Sequence, residues 1–153
     1  LGGGLFDFIG MDACLMAMTE IAYQIKDFTK IFIASENIEQ APGWHYDAIF
    51  QQLIKKPRFY SAIPLANLIV NSFELFHRPH NNMYTQSVMD LTTIAALKDN
   101  ISTLAATCLS AKQQDSLRNS ILYARKNCIE FDNGHFIDLH DFYRILLKKI
   151  TTK

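Results

Sequence analysis

The sequence predicts an α/β fold, and three consecutive stretches near its start predict it. An apolar run from Leu5 to Met11, interrupted by Asp7, reads as a buried strand. An amphipathic helix follows, with Leu15, Met18, Ile21, Ala22 and Ile25 at helical spacing. A β-branched and aromatic run from Thr29 to Ala34 then reads as a second strand. Strand, helix and strand with short joints make a βαβ crossover, whose strands pair in parallel through a right-handed connection. The first strand is apolar almost throughout, as strands covered on both faces are.

Beyond the crossover, Asn37 to His45 reads as a loop containing Pro42-Gly43-Trp44. A helix is expected from Tyr46 to Lys56, stopped by Pro57, and another from Ile63 to Phe76. Pro64 falls in the first turn of the latter, where a missing N–H costs nothing. Pro79 to Asn82 reads as a loop and Tyr84 to Leu91 as a third strand. The remainder is helical by pattern, over Ile94 to Ala111, Gln113 to Cys128 and Leu139 to Ile150, with Asp132-Asn133-Gly134 as a turn. Residues 1–92 therefore carry the sheet, and residues 93–153 form a helical C-terminal portion packed on the same domain.

The 153 residues suffice for one domain with a core of its own, not for two. Lys plus Arg number 15 and Asp plus Glu 15, so no net field recruits nucleic acid or an anionic membrane. The longest apolar stretch, Ala62 to Val70, is broken by Pro64 and Asn67 and is too short to cross a bilayer. No basic-then-apolar leader opens the chain, which starts abruptly at Leu1-Gly2-Gly3-Gly4 as a processed or truncated chain would. Three cysteines make neither a disulfide framework nor a zinc site. Cys108 and Cys128 lie on apolar helix faces and read as small buried hydrophobes.

Cys14 differs by its setting. It stands in Asp12-Ala13-Cys14-Leu15-Met16-Ala17, at the seam between first strand and helix. There the first-turn N–H groups lack partners and the helix dipole favours negative charge. A thiol so placed has its nucleophilic thiolate form stabilised, and strand C-termini are where open α/β sheets place ligands. If the strand persists, Asp12 and Cys14 project to one side, roughly 7 Å apart. A carboxylate that close opposes thiol activation. It makes sense if it faces a cationic group of a substrate, selecting an Arg or Lys side chain beside the nucleophile.

The stretch Phe8-Ile9-Gly10-Met11-Asp12-Ala13-Cys14-Leu15-Met16-Ala17, followed by Glu20 to Asp27, resembles the nucleophile segment of the clostripain family of cysteine peptidases. The resemblance continues through Ala34-Ser35-Glu36, Pro42-Gly43-Trp44-His45-Tyr46, the strand Tyr84 to Leu91, and Gly134 to Phe142. It implies a caspase-like three-layer α/β sandwich, part of a mostly parallel sheet flanked by helices. It also implies an endopeptidase that cleaves after Arg or Lys with a Cys–His dyad. Cys14 matches the nucleophile and Asp12 the acid of the primary specificity pocket, while Ser35 and Trp44 fall where the pocket walls lie. Many members mature by cleavage upstream of the nucleophile strand, some depend on calcium, and export to an extracellular or periplasmic site is the family pattern. There are two departures. The family's catalytic His belongs to an upstream strand outside this chain, so an N-terminal companion segment or chain is expected to supply it and the isolated chain is not expected to turn over. Pro42 stands where members often carry an acid before the Gly-Trp pair; Glu39 is near but unmatched.

Other polar residues have simpler readings. His45 follows the Gly-Trp pair as a loop imidazole within reach of Cys14. His77 and His80 flank Arg78-Pro79, with His77 at a helix C-terminus that favours cations. His135 and His140 stand among Asp132, Asp138 and Asp141, as a divalent-ion site or as a turn plus a helix N-cap. Met11, Met16 and Met18 read as packing, and Lys55-Lys56 and Lys148-Lys149 as solvated helix ends. Two further functions stand beside the peptidase: a non-catalytic caspase-like binding module or inactive fragment, and a flavodoxin-like nucleotide binder. The last is disfavoured because Gly2-Gly3-Gly4 precedes the first strand, and no phosphate-cradling loop opens the helix.

Overall fold

A computed structural model describes residues 4–57, 61–79, 84–110 and 115–152. Gly2 and Gly3, the His80-Asn81-Asn82 part of the expected loop, and the helix ends at Ala111 and Gln113 lie outside the described residues. The chain divides into two compact units, Leu1–Ala96 and Leu97–Lys153.

In the first unit, β1 (Ile9–Gly10), α1 (Thr19–Ile25) and β2 (Ile31–Ala34) form the expected crossover, and β1 pairs with β2 in parallel. The chain then builds α2 (Tyr46–Lys55), α3 (Ala62–His77) and β3 (Ser87–Asp90), and enters α4 (Ile94–Ser110) through a short 3-10 turn. The sheet order is β1-β2-β3. β2 is buried over its whole length, and its side chains alternate between two clusters. Ile31 and Ile33 join Ile49 of α2 and Ala66, Ile69 and Phe73 of α3. Phe32 and Ala34 join Ala22 of α1 with Leu91 and Ile94. Each large apolar side chain so buried contributes about 1.5–3 kcal/mol, so β2 is the element around which this unit is organised.

Three expectations are corrected. β3 runs antiparallel to β2, Ala34 facing Ser87 and Ile31 facing Asp90, so the described sheet mixes the two senses. The chain leaves β2 at Ala34 and, after two helices, re-enters the sheet beside that same end. Next, the run from Leu5 to Met11 yields only a two-residue strand, preceded by an isolated parallel bridge between Phe6 and Thr29. It is β2, not β1, that is covered on both faces: Ile9 is half-buried and Gly10 exposed. Finally, the helix starts at Thr19 rather than Leu15. Met11, Leu15 and Ala17 spend their N–H groups on the carbonyls of Ile33, Asn37 and Ser35 at 2.9, 3.1 and 2.9 Å. Residues 11–17 therefore follow β2 and its exit, a tertiary preference that overrides the helix propensity of Ala, Leu and Met.

In the second unit α5 (Asp115–Asn127) packs on α6 (Leu139–Thr151). The expected turn at Asp132-Asn133-Gly134 is present, with all three residues at positive φ, and it joins a hairpin of β4 (Glu130–Phe131) and β5 (Phe136–Ile137). The strands were not legible as such because each is two residues long. Asp138 caps α6, accepting the Asp141 N–H at 2.9 Å. Buried Asp141 accepts from Arg144 and from the Ile129 N–H, which hold its carboxyl below the usual carboxylate range. Cys128 is buried as expected and Cys108 is half-buried.

Candidate active site

Cys14 lies on a tight turn. Leu15, the next residue, has φ +59, a left-handed backbone that bulky residues rarely adopt. The turn lifts Cys14 off the end of β1 and leaves it exposed, five residues before α1 begins. The helix-start setting expected for this thiol is therefore replaced by another. The Glu39 N–H donates to Cys14 Sγ at 3.2 Å, and Sγ lies 3.8 Å from the Glu39 carbonyl oxygen. The main chain of Glu39, on the loop after β2, thus takes the place at the sulfur that the helix start was expected to hold.

Asp12 is held by the opposite end of the same loop. Both its oxygens lie 3.2 Å from the Trp44 N–H, and the Tyr46 hydroxyl donates to Oδ2 at 2.8 Å. Burial first, then the Asp12 carboxylate, push the Tyr46 phenol up to about 12, so it remains a proton donor to Asp12 at any ordinary pH. Gly43 makes the approach possible. It sits at φ +81, and a Cβ there would lie 2.5 Å from Asp12 Oδ1.

Asp12, Ala13 and Cys14 on one side, and residues 39–43 on the other, line a recess of about 350 Å³. Its second carboxylate is Glu39, which motif matching leaves unassigned. Burial, and then the neighbouring Asp12 charge, push the Glu39 carboxyl up to about 7. Glu39 Oε2 is buried without a hydrogen-bond partner among the described residues. Glu39 also hydrogen-bonds to Asp12, so the two carboxyl groups of the recess act on one another directly.

The other residues picked out in the sequence take different places. Ser35 is fully buried at the end of β2, its hydroxyl donating to the Asn37 carbonyl at 3.0 Å and meeting Thr85 Oγ1 at 3.1 Å. Trp44 is 8% exposed and lies against Gly10, where a Cβ would meet Cη2 at 2.5 Å. It offers Asp12 its backbone, and its indole Nε1 lies 3.0 Å from the Gln86 side-chain amide, whose oxygen accepts there when the amide is turned over. His45 stacks on Phe76 at 4.5 Å, in a separate recess lined by residues of α2 and α3. His77, expected to be explained by its helix terminus alone, is buried and contacts the Gly43 carbonyl oxygen through Nε2 at 2.8 Å. It braces the loop behind Asp12. His135 lies 3.3 Å from Asp132, on the turn of the second unit.

The model of the clostripain family matches residues 2–152. The chain belongs to the clostripain family. It is thereby related to cysteine peptidases. Solved structures agree in fold. One is a secreted C11 cysteine protease from Bacteroides thetaiotaomicron in complex with an irreversible peptide inhibitor; it is 21% identical with TM-score 0.61, over 93% of this chain and 38% of that one. Another is an inactive zymogen C11 protease from Parabacteroides distasonis, 20% identical with TM-score 0.59, over 95% and 42%. A B. fragilis cysteine protease is 14% identical with TM-score 0.57, over 95% and 60%. This clostripain-family chain thus spans between 38% and 60% of the length of these structures. A search among curated proteins returns no match.

Among the described residues no three His, Cys, Asp or Glu side chains converge as a metal-ion site would need. Nor is any described helix long and apolar enough to cross a membrane.

Proposed function

We propose that this chain is the nucleophile-bearing part of a clostripain-like cysteine endopeptidase that cleaves after Arg or Lys, built on a caspase-like three-layer sandwich. The observation that carries the reading is one recess shared by an exposed thiol, Cys14, and two carboxylates, Asp12 and Glu39. A long cationic side chain lying against Asp12 brings the carbonyl that follows it toward Cys14. The Cys14 thiolate attacks that carbonyl carbon, and a His from an upstream companion segment protonates the leaving amine. Water then hydrolyses the thioester and releases the acid. The Leu15 N–H is committed to the Asn37 carbonyl, which leaves the Cys14 N–H as the oxyanion donor supplied by this chain.

In this account Asp12 is the specificity acid. Ser35 and Trp44 support the pocket, Ser35 by fixing the loop start and Trp44 by presenting its N–H to Asp12. Without the companion His the isolated chain binds but does not turn over. The secreted relative supports an exported protein, and the zymogen relative a maturation cut upstream of β1.

The test is hydrolysis of arginyl and lysyl fluorogenic peptides by the whole protein that carries this chain. Cys14→Ala is expected to abolish cleavage. Asp12→Asn is expected to lower kcat/KM for basic peptides by about two orders of magnitude, the loss of one charge-assisted pair. Cleavage that survives Cys14→Ala contradicts the assignment of the nucleophile. Undiminished selectivity in Asp12→Asn contradicts the pocket.

A further inference from the structure

Thr85 lies two residues before β3, far from the Asp12-to-Cys14 turn in sequence, yet the hydrogen bonds behind that turn converge on it. Its Oγ1 lies 3.0 Å from the Glu36 N–H and 3.0 Å from the Asn37 N–H. A hydroxyl has two acceptor sites and one proton. Both acceptor sites are filled by these N–H groups, so the Thr85 proton is left to go to Ser35 Oγ, 3.1 Å away. That fixes the direction of the next bond: Ser35 donates its own proton to the Asn37 carbonyl at 3.0 Å. The same carbonyl takes the N–H of Leu15, the residue after the thiol, at 3.1 Å. Both hydroxyl protons of this relay are used, and its direction is determined.

We propose that Thr85 is a positioning residue for the nucleophile: its hydroxyl pins the loop entry at Glu36 and Asn37, and through Ser35 and Asn37 it fixes the turn that presents Cys14. Two routes run from it to the thiol. One is the relay to Leu15, whose left-handed backbone needs an outside hold to persist. The other is the loop itself, which carries Glu39 and the N–H that points at Cys14 Sγ. Asp12 is anchored at the far end of that loop, by the Trp44 N–H and the Tyr46 hydroxyl, neither of which bonds to Thr85. Loss of the Thr85 hydroxyl therefore displaces the thiol while Asp12 keeps these two donors. Valine cannot stand in, because it fills the same volume with no acceptor for two N–H groups and no proton for Ser35.

The inference rests on Cys14 being the nucleophile, and the test separates the two. In the whole protein, with an arginyl fluorogenic peptide, Thr85→Val is expected to lower kcat by roughly ten- to a hundredfold, the usual consequence of an ångström-scale misplacement. KM should stay within about threefold, because Asp12 keeps the Trp44 and Tyr46 donors that hold it. Thr85→Ser, which keeps the hydroxyl and loses the methyl, should retain kcat within about threefold. Wild-type kcat in Thr85→Val overturns the proposal, as does equal damage in Thr85→Ser, which would assign the effect to the methyl. Cys14→Ala in the same assay abolishes turnover if the underlying reading holds; residual turnover would overturn both. Should Thr85→Val fail to fold, amide exchange in the wild type decides. Slow exchange at Glu36 and Asn37, kept in Thr85→Ser, is expected, and exchange at the unprotected rate overturns the proposal.

Discussion

Glu39 is the residue through which pH acts on this site. Its carboxyl is pushed up to about 7, first by burial and then by Asp12. The folded chain therefore holds this proton to higher pH than the unfolded chain does. Between the ordinary glutamate value and 7 the unfolded state binds fewer protons, so stability falls as pH rises through that window. Glu39→Gln should be neutral near pH 4 and more stable than wild type near pH 8, by about 1–2 kcal/mol after allowance for solvent screening. Thermal unfolding at the two pH values checks this, and an equal effect at both contradicts it. The same proton must leave when a cation enters the recess, so affinity for basic peptides should rise with pH through 7 and lose that rise in Glu39→Gln. Gly43 gives a second test at this scale. Gly43→Ala meets both a positive φ and the Asp12 oxygens, and should cost about 1–3 kcal/mol with loss of basic selectivity. That Asp12 and Cys14 face one recess was legible in their spacing. Glu39 was not, because its relation to Asp12 depends on how the loop folds back and on no spacing.

Among the elements, β2 and its exit decide where the site forms. The crossover was legible because apolar runs and helical spacing are local properties. The start of α1 was not, because the N–H groups of Leu15 and Ala17 are claimed by carbonyls about twenty residues on. That displacement of the helix to Thr19 is what makes Cys14 a turn residue. The same reasoning applies to Asp138, whose capping role was foreseen and whose side chain accepts the Asp141 N–H. Asp138→Ala should lower stability by about 1 kcal/mol, read as a shift of the thermal midpoint. The shift should come without loss of peptidase activity in the whole protein, because Asp138 is not among the residues that line the recess. A loss of activity larger than the loss of stability would contradict that division.

On the scale of the molecule, this clostripain-family chain brings an exposed thiol and two carboxylates to one recess, and the proposed reading takes the base from an upstream segment. The family was legible in Phe8 to Ala17, a stretch whose residues serve both the fold and the chemistry. The recess was legible only in part, since Pro42 occupies the position at which an acid was sought, and the second carboxylate that lines the recess is Glu39, three residues earlier. The antiparallel sense of β3 was illegible because a short strand carries no mark of its direction. The most direct test is affinity labelling of the whole protein with a lysyl peptide ketone and with its leucyl counterpart, read by mass-spectrometric peptide mapping. The account predicts a single adduct on Cys14, formed at least about tenfold faster with the lysyl reagent. An adduct on Cys108 or Cys128, or equal rates for the two reagents, would contradict it.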